Sequence, residues 1–265
     1  MATRLDAAMT ARGLARSRSA AVRLVTEGRV SVDGRPVVKP SASVEESDVI
    51  VVSQPDHYVS RGAHKLIGAL DAFGIDPRGI LALDVGASTG GFTQVLLERG
   101  ALKVIALDVG HGQLAPLLRS DERVSVVEGF NVRDLTVDSL TGASGETGTP
   151  GLVVGDLSFI SLTLVLGPLA ATAPGADMVL LIKPQFEVGR TGIREGIVKD
   201  ARLRAEAIES VLWAAWDAGL RTRGLIPSPI AGGRGNHEYL VWLNSSDDGG
   251  NPTEWLEQIT EMAGA

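Results

Sequence analysis

The stretch LDVGASTGGFT, Leu83 to Thr93, constrains what this chain can fold into more than any other segment. An apolar run from Ile80 to Leu83 ends at an acid, Asp84. Glycines at 86, 90 and 91 make a turn, and Phe92 to Leu97 open a helical pattern. A buried strand, a tight glycine turn and a helix N-terminus let backbone approach a ligand closely. The spacing is G-x-x-x-G-G. Ser88 stands where a dinucleotide fingerprint needs its second glycine, and no Lys-Ser/Thr pair follows to make a phosphate-cradling loop. A βα turn that holds no ligand is the plain alternative.

Around this turn apolar runs alternate with helical patterns, which predicts a parallel sheet covered on both faces. The candidate strands are Ile80–Val85, Lys103–Asp108, Val124–Glu128, Leu152–Asp156, Met178–Lys183, Arg221–Pro227 and Glu238–Leu243, with a helix over Gly62–Phe73 before the first. Thr141 to Gly151 reads as a low-complexity surface loop. Leu157 to Ala176 carries no charge, but Gly167, Pro168, Pro174 and Gly175 interrupt it. A spanning helix needs about 20 continuous apolar residues, so a buried helix between two strands is expected instead. The N-terminus lacks the apolar core of a signal peptide, which leads us to expect a cytoplasmic protein. Without cysteine there is no disulfide framework or thiol nucleophile, and the four histidines show no metal spacing. No metal site is expected.

The net charge of −7 is unevenly spread. Residues 1–40 hold eight Lys/Arg against three acids, a balance of +5, so the remaining 225 residues carry −12. A basic front on an acidic body points to a nucleic-acid contact confined to one module. That front reads as two short helices, Leu5–Gly13 and Ser17–Glu27, with Ser17 as cap of the second. A strand at Val30–Val32, a turn at Asp33-Gly34, a return at Pro36–Val38 and a strand at Val49–Val52 follow. The string LARSRSAAVRLVTEGRVSVDGRPVVKP resembles the RNA-binding domain first seen in small-subunit ribosomal protein four. The resemblance implies that Arg4, Arg12, Arg16, Arg18, Arg23 and Lys39, with Arg61 beyond, contact RNA. A solvated basic face is the bland reading. We expect this domain over residues 1–54, a linker over 55–60 and the α/β domain over 61–265.

Asp84-x-Gly86-x-x-x-Gly90-Gly91 resembles motif I of S-adenosylmethionine-dependent methyltransferases. That implies a Rossmann-like seven-stranded sheet with its last strand antiparallel, and a cofactor held by Asp84, Gly86, Ser88, Thr89, Gly90, Gly91 and Phe92. Asp108 ends the second strand, where an acid in such folds accepts hydrogen bonds from both ribose hydroxyls. By the same resemblance Val109 and Asn131 flank the adenosine, and Asp156 borders the cofactor.

Lys65, Asp156, Lys183 and Glu238 fall where the fold would bring them together, three of them at the ends of apolar strands. Isolated buried charge is costly, so these groups should pair. The set resembles that of the FtsJ-like RNA ribose 2′-O-methyltransferases. The resemblance implies that Lys183 is the base for the ribose hydroxyl, Lys65 helps to position that hydroxyl and Glu238 holds the lysines. Ser158, Phe159 and Pro184 to Phe186 would shape the substrate mouth, and Glu187–Val198 would form a lid or simply a surface loop. Taken with GLARSRSAA, SRGAHKL, DVGHGQLA, GDLSFISL, LIKPQFEVG and GNHEYL, the whole chain is similar to the TlyA family. That implies 2′-O-methylation of cytidine in ribosomal RNA, 16S and/or 23S, within ribosomal subunits. His111 stands where relatives often have Tyr. The family also carries a haemolysin description, so a membrane-active protein is one rival, and a non-catalytic RNA-binding assembly factor is another. A monomer is expected.

Overall fold

The computed structural model describes residues 2–52, 57–189, 193, 195–246 and 249–264. The chain divides into two compact units, Met1–His57 and Tyr58–Ala265.

The first unit begins with a two-residue strand β1 (Thr3–Arg4) and helices α1 (Leu5–Ala11) and α2 (Arg18–Thr26). Strands β2 (Val30–Val32), β3 (Arg35–Pro36), β4 (Ser43–Val44) and β5 (Ile50–Val52) follow. β2 lies between β3 and β5, all antiparallel, while β1 pairs with β4 in a separate ribbon that the sequence did not suggest. Ser17 caps α2 as expected, accepting the Ala20 N–H at 3.2 Å. Leu5, Ala8, Met9, Ala21, Val25, Val30, Val44 and Ile50 form the core.

The buried Asp6 organises the start of this unit. Its carboxylate accepts the Ala7 N–H at 2.9 Å and bonds from the guanidinium groups of Arg4 and Arg18 at 2.9–3.1 Å. Those bonds, with the Arg4 contact the strongest, hold the Asp6 carboxyl far below the usual carboxylate range.

In the second unit helix α3 (Gly62–Phe73) precedes β6 (Leu81–Val85), α4 (Gly91–Glu98), β7 (Lys103–Asp108), α5 (Pro116–Arg119) and β8 (Val124–Glu128). The chain continues through α6 (Val137–Ser144), β9 (Leu152–Gly155), α7 (Leu166–Thr172), β10 (Asp177–Ile182) and α8 (Pro184–Glu187). It closes with α9 (Ala201–Asp217), β11 (Arg221–Pro227), β12 (Tyr239–Asn244) and α10 (Leu256–Ala263). The seven strands run in the order β11-β12-β10-β9-β6-β7-β8, with β12 antiparallel to both neighbours. This is the expected Rossmann-like sheet.

Side chains alternate across the sheet. Leu83, Val85, Ile105, Leu107, Val153 and Leu180 meet α6, α7, α9 and α10 on one face. Ala82, Val104, Ala106, Val154 and Leu181 meet α3 and α4 on the other. Tyr58 and Val59 pack against this second core, and the Val59 N–H reaches Gln94 Oε1 at 2.9 Å. The uncharged 157–176 stretch folds as a short 3-10 turn, Leu162–Leu164, followed by α7. Among the described residues no helix is long and apolar enough to cross a membrane. The expected loop at Thr141–Gly151 is partly helical, since α6 runs to Ser144. Glu146 beyond it accepts bonds from Lys103 and Ser125, contacts that no local composition signals.

Replacing Asp6 should loosen the first unit, because the carboxylate serves two guanidinium groups and a backbone N–H together. Its depressed pKa means that this stabilisation is in force above about pH 4 and fades only as the pH falls well below that. Asp6→Ala should speed amide exchange across residues 5–26 at neutral pH. Exchange equal to that of the parent protein would contradict this role.

Candidate functional site: a lysine-carboxylate chain beside the glycine turn

The strand order reverses between β6 and β9, and ligands in such sheets bind outside the carboxyl ends of strands at that switch. A cleft of about 300 Å³ opens there, lined among others by Ser60, Arg61, Lys65, Gly86–Thr89, Phe92, Asp156, Ser158, Lys183 and Ala231–Gly233. Gly86, at φ +80°, takes a conformation that favours glycine, and a Cβ there would sit 3.2 Å from the Asp156 carbonyl oxygen. The two strand ends that frame the cleft therefore meet backbone to backbone.

Four charged side chains converge beside it. Lys65 Nζ, from α3, donates to Asp156 Oδ2 at 3.1 Å and pairs with Glu238 Oε2 at 2.8 Å. Lys183 Nζ lies 2.5 Å from Asp156 Oδ1 and donates to Ser158 Oγ at 2.8 Å. The four form a chain in the order Glu238, Lys65, Asp156, Lys183. Asp156, Lys183 and Glu238 each stand one residue outside a strand, so apolar β-structure ends where charge begins. Lys65, Lys183 and Glu238 are buried. Burial opposes charge on Lys65, but Asp156 and Glu238 outweigh it and hold the ammonium above the usual lysine range. Burial likewise opposes charge on Asp156, and the two lysines outweigh it and hold the carboxyl below its usual range.

The remaining predicted positions divide by what they touch. Asp108 accepts the Ser88 N–H at 2.8 Å and the Gly110 N–H at 2.7 Å, so its carboxylate is fixed at the end of β7. Val109 beside it is 68% exposed, and Thr89 is exposed too. Asn131 is exposed and accepts the Arg133 N–H at 3.1 Å as cap of a 3-10 turn. Asp84 stands behind the cleft instead of lining it. Its Oδ2 accepts the Thr93 hydroxyl at 2.6 Å, and its Oδ1 has no hydrogen-bond partner among the described residues. Burial raises the Asp84 carboxyl to about 7, against the pull of the Thr93 bonds. Gly91 lines the cleft, and packing keeps both Gly90 and Gly91 small: a Cβ at Gly90 would collide with Leu118, and one at Gly91 with Ser60.

Of the predicted RNA contacts, Arg4, Arg12, Arg16, Arg18, Arg23 and Lys39 are all exposed on the first unit, with Arg23 3.6 Å from Glu27. Arg4 and Arg18 converge on Asp6. Arg12 donates to the carbonyls of Asp48 and Glu45 at 2.6 and 2.7 Å, which makes it a clamp on that turn. Arg61 lies at the start of α3 and lines the cleft of the second unit.

Phe159 is 91% exposed at φ +65°, with its ring centroid 5.2 Å from that of Phe186. A bulky residue in that conformation is strained, and such strain clusters at functional sites. The suggested lid at Glu187–Val198 falls partly on residues 190–192 and 194, outside those described. Sequence reasoning missed Gly232, where a Cβ would collide with the Glu238 carboxylate, and Gln113, whose Oε1 accepts the Ser88 hydroxyl at 3.1 Å. The paired glycines before GNHEYL signal the first, and nothing local signals the second.

Fold and site together define an FtsJ-like methyltransferase joined to an S4 domain; the corresponding family models match residues 58–245 and 3–50. The chain is 46% identical to the 16S/23S rRNA (cytidine-2′-O)-methyltransferase TlyA of Mycobacterium tuberculosis, over 98% of this chain and 96% of that one. It is 39% identical to Hemolysin A of Brachyspira hyodysenteriae, over 90% of this chain and 98% of the relative. A solved hemolysin-family structure from Streptococcus thermophilus superposes with a TM-score of 0.75 at 37% identity, covering 99% of this chain and 96% of that one. An S-adenosylmethionine-dependent methyltransferase structure from Listeria monocytogenes has a TM-score of 0.51 at 13% identity, over 70% of this chain and 99% of that one, a likeness of fold alone. The chain belongs to the TlyA family.

The raised pKa of Asp84 gives a signed test. The folded protein keeps that proton to about pH 7, whereas an unfolded chain releases it near about 4. This group therefore makes stability fall as the pH rises between those values and contributes no slope above them. Asp84→Asn, which cannot ionise, should lose less stability than the parent protein between pH 4.5 and 8 in urea unfolding (roughly the window set by the two pKa values). Identical pH dependence in the two proteins would refute the assignment.

Proposed function

We propose that this protein methylates the 2′-hydroxyl of a cytidine ribose in ribosomal RNA, with S-adenosylmethionine as methyl donor and ribosomal subunits as substrate. The observation that carries the reading is the Glu238–Lys65–Asp156–Lys183 chain on the wall of the glycine-turn cleft. The relatives' names support the substrate. When bound, S-adenosylmethionine supplies a methyl group on an electron-poor sulfonium.

The residues present fit that cofactor. Gly86 leaves the mouth of the turn without a side chain, and Ser88, Thr89 and Phe92 border the same cleft. Asp108 is held by two backbone N–H groups in the position that suits a ribose diol, and the exposed Val109 and Asn131 suit the adenine. Asp84 supports the turn from behind through Thr93.

Proton removal falls to Lys183. The form that accepts a proton is the neutral amine, which has two N–H donors and one lone pair. With the donors turned to Asp156 Oδ1 and Ser158 Oγ, the lone pair is left for the ribose hydroxyl. Lys65 stays cationic between its two carboxylates and fixes Asp156 from the far side. Glu238 acts through Lys65. Phe159 and Phe186 offer aromatic faces beside the amine for the target base. The chain's contribution is to hold an activated oxygen in line, which is a large part of the acceleration available to such a transfer.

The basic first unit anchors the RNA: Arg4, Arg12, Arg16, Arg18, Arg23 and Lys39 are exposed there, and among the described residues Arg16 and Lys39 form no ion pair with an acid of that unit. We place the protein in the cytoplasm, acting as a monomer. A membrane-active reading rests on the hemolysin name of relatives, and none of the described helices is long and apolar enough to cross a membrane.

Lys183→Ala should lower methyl transfer to purified, unmodified subunits by about 10²–10⁴-fold, the range for loss of a positioned base, while calorimetric cofactor affinity is retained. The product nucleotide, mapped by mass spectrometry, should carry its methyl on the ribose. A methyl on the base overturns the mechanism, and lysis that survives Lys183→Ala would favour the membrane reading. Separately, Arg16→Ala should weaken subunit binding and reduce the salt-dependence slope by about 1, as loss of one phosphate contact does. An unchanged slope would remove Arg16 from the RNA interface.

A further inference from the structure

Two segments carry the acceptor side of the cleft. One runs from Asp156 to Leu162 behind β9 and the other from Lys183 to Glu187 behind β10. They are joined at one end by Lys183, which reaches Asp156 and Ser158. At the other end they are joined by Glu187. Its Oε2 accepts the Ser161 hydroxyl at 2.5 Å and its Oε1 accepts the Leu162 N–H at 3.0 Å. Ser161 also caps the following 3-10 turn by accepting the Thr163 N–H at 3.1 Å, and Leu162 is anchored in the core. Both carboxylate oxygens of Glu187 are therefore committed across the gap.

The two joints are not equivalent. The Lys183 joint holds the reacting amine itself, whose charge and number of N–H donors both change when it takes a proton. The Glu187 joint involves no reacting atom. Between the joints lie Ser158, Phe159 and Phe186, including the strained Phe159 backbone at φ +65°. A conformation of that kind persists only where its surroundings over-determine it.

We propose that Glu187 is a positioning residue for methyl transfer: it clamps the two acceptor-side segments together so that Lys183, Ser158 and the Phe159–Phe186 pair keep their alignment through the proton transfer. The inference rests on the methyl-transfer reading above. Glu187 acts by geometry and neither takes nor gives the reacting proton. Gln at this position can accept the Leu162 N–H through its carbonyl oxygen and donate to Ser161 Oγ through its amide, so shape is preserved without the charge.

The test compares Glu187→Ala and Glu187→Gln in the full-length protein. Steady-state methyl transfer to purified, unmodified ribosomal subunits is measured together with calorimetric S-adenosylmethionine affinity. Glu187→Ala should lower kcat by about tenfold or more, since small misplacements near the chemistry carry such penalties. Its cofactor Kd should stay within about twofold, because the glycine turn is untouched, and Glu187→Gln should restore kcat to within about threefold of the parent protein. Hydrogen exchange gives a readout that needs no turnover. In Glu187→Ala the Leu162 amide should exchange faster, while Gly86–Thr93 keeps the parent rates. Unchanged kcat, cofactor affinity lost in step with kcat, a Gln variant as impaired as the Ala variant, or unaltered Leu162 exchange would each overturn the proposal. A parent protein with no methyl transfer at all would instead count against the functional reading, and the exchange data would still decide the clamp.

Discussion

A lysine ammonium buried at the edge of an apolar sheet has to be balanced by carboxylates, and Lys65 is balanced by two. Desolvation alone would drive it toward neutrality, and Asp156 and Glu238 reverse that outcome. The arrangement is sensitive to any single loss. Removing one member of a buried charge set leaves the others uncompensated, which costs on the order of 3–5 kcal/mol where it has been measured. The ends of three strands and one turn of α3 therefore cannot drift independently. Lys183 inherits its place from the same network through the shared carboxylate of Asp156.

The glycines show the complementary constraint, that of space. Gly86 lets the end of β6 approach the backbone beyond β9, and Gly232 leaves room for the Glu238 carboxylate. Gly90 and Gly91 are small because Leu118 and Ser60 press on them. One glycine-rich motif thus serves both a ligand cleft and the close packing of the helices around it. The turn that looked like a cofactor signature in the sequence is equally a packing device.

The parts of this arrangement that could be read from the sequence share one property: they are local violations of pattern. An acid or a lysine at the end of an apolar run stands out, so Asp108, Asp156, Lys183 and Glu238 were legible before any coordinates, and so was the alternation that builds the sheet. The partnerships between distant positions were not. Glu187 is one more acid in a charged loop until Ser161 and Leu162 are seen against it. Arg12 looks like any other arginine of the basic front until its guanidinium is found on the carbonyls of Glu45 and Asp48. Asp84 opens the most recognisable motif in the chain, yet it lies behind the cleft and bonds to Thr93, because its strand position points it inward. Only tertiary neighbours decide between such roles.

The antiparallel course of β12 has a consequence for how the protein is made. Parallel strands bring their final residues to the cleft, whereas β12 brings the residue just before its first. Glu238 is therefore synthesised 173 residues after Lys65, and long after the glycine turn. A nascent chain interrupted before that point can hold both lysines with Asp156 as their one acidic neighbour from the set. In vectorial synthesis the charge balance of the site is completed last, so the complete network marks a chain translated through the end of its sheet.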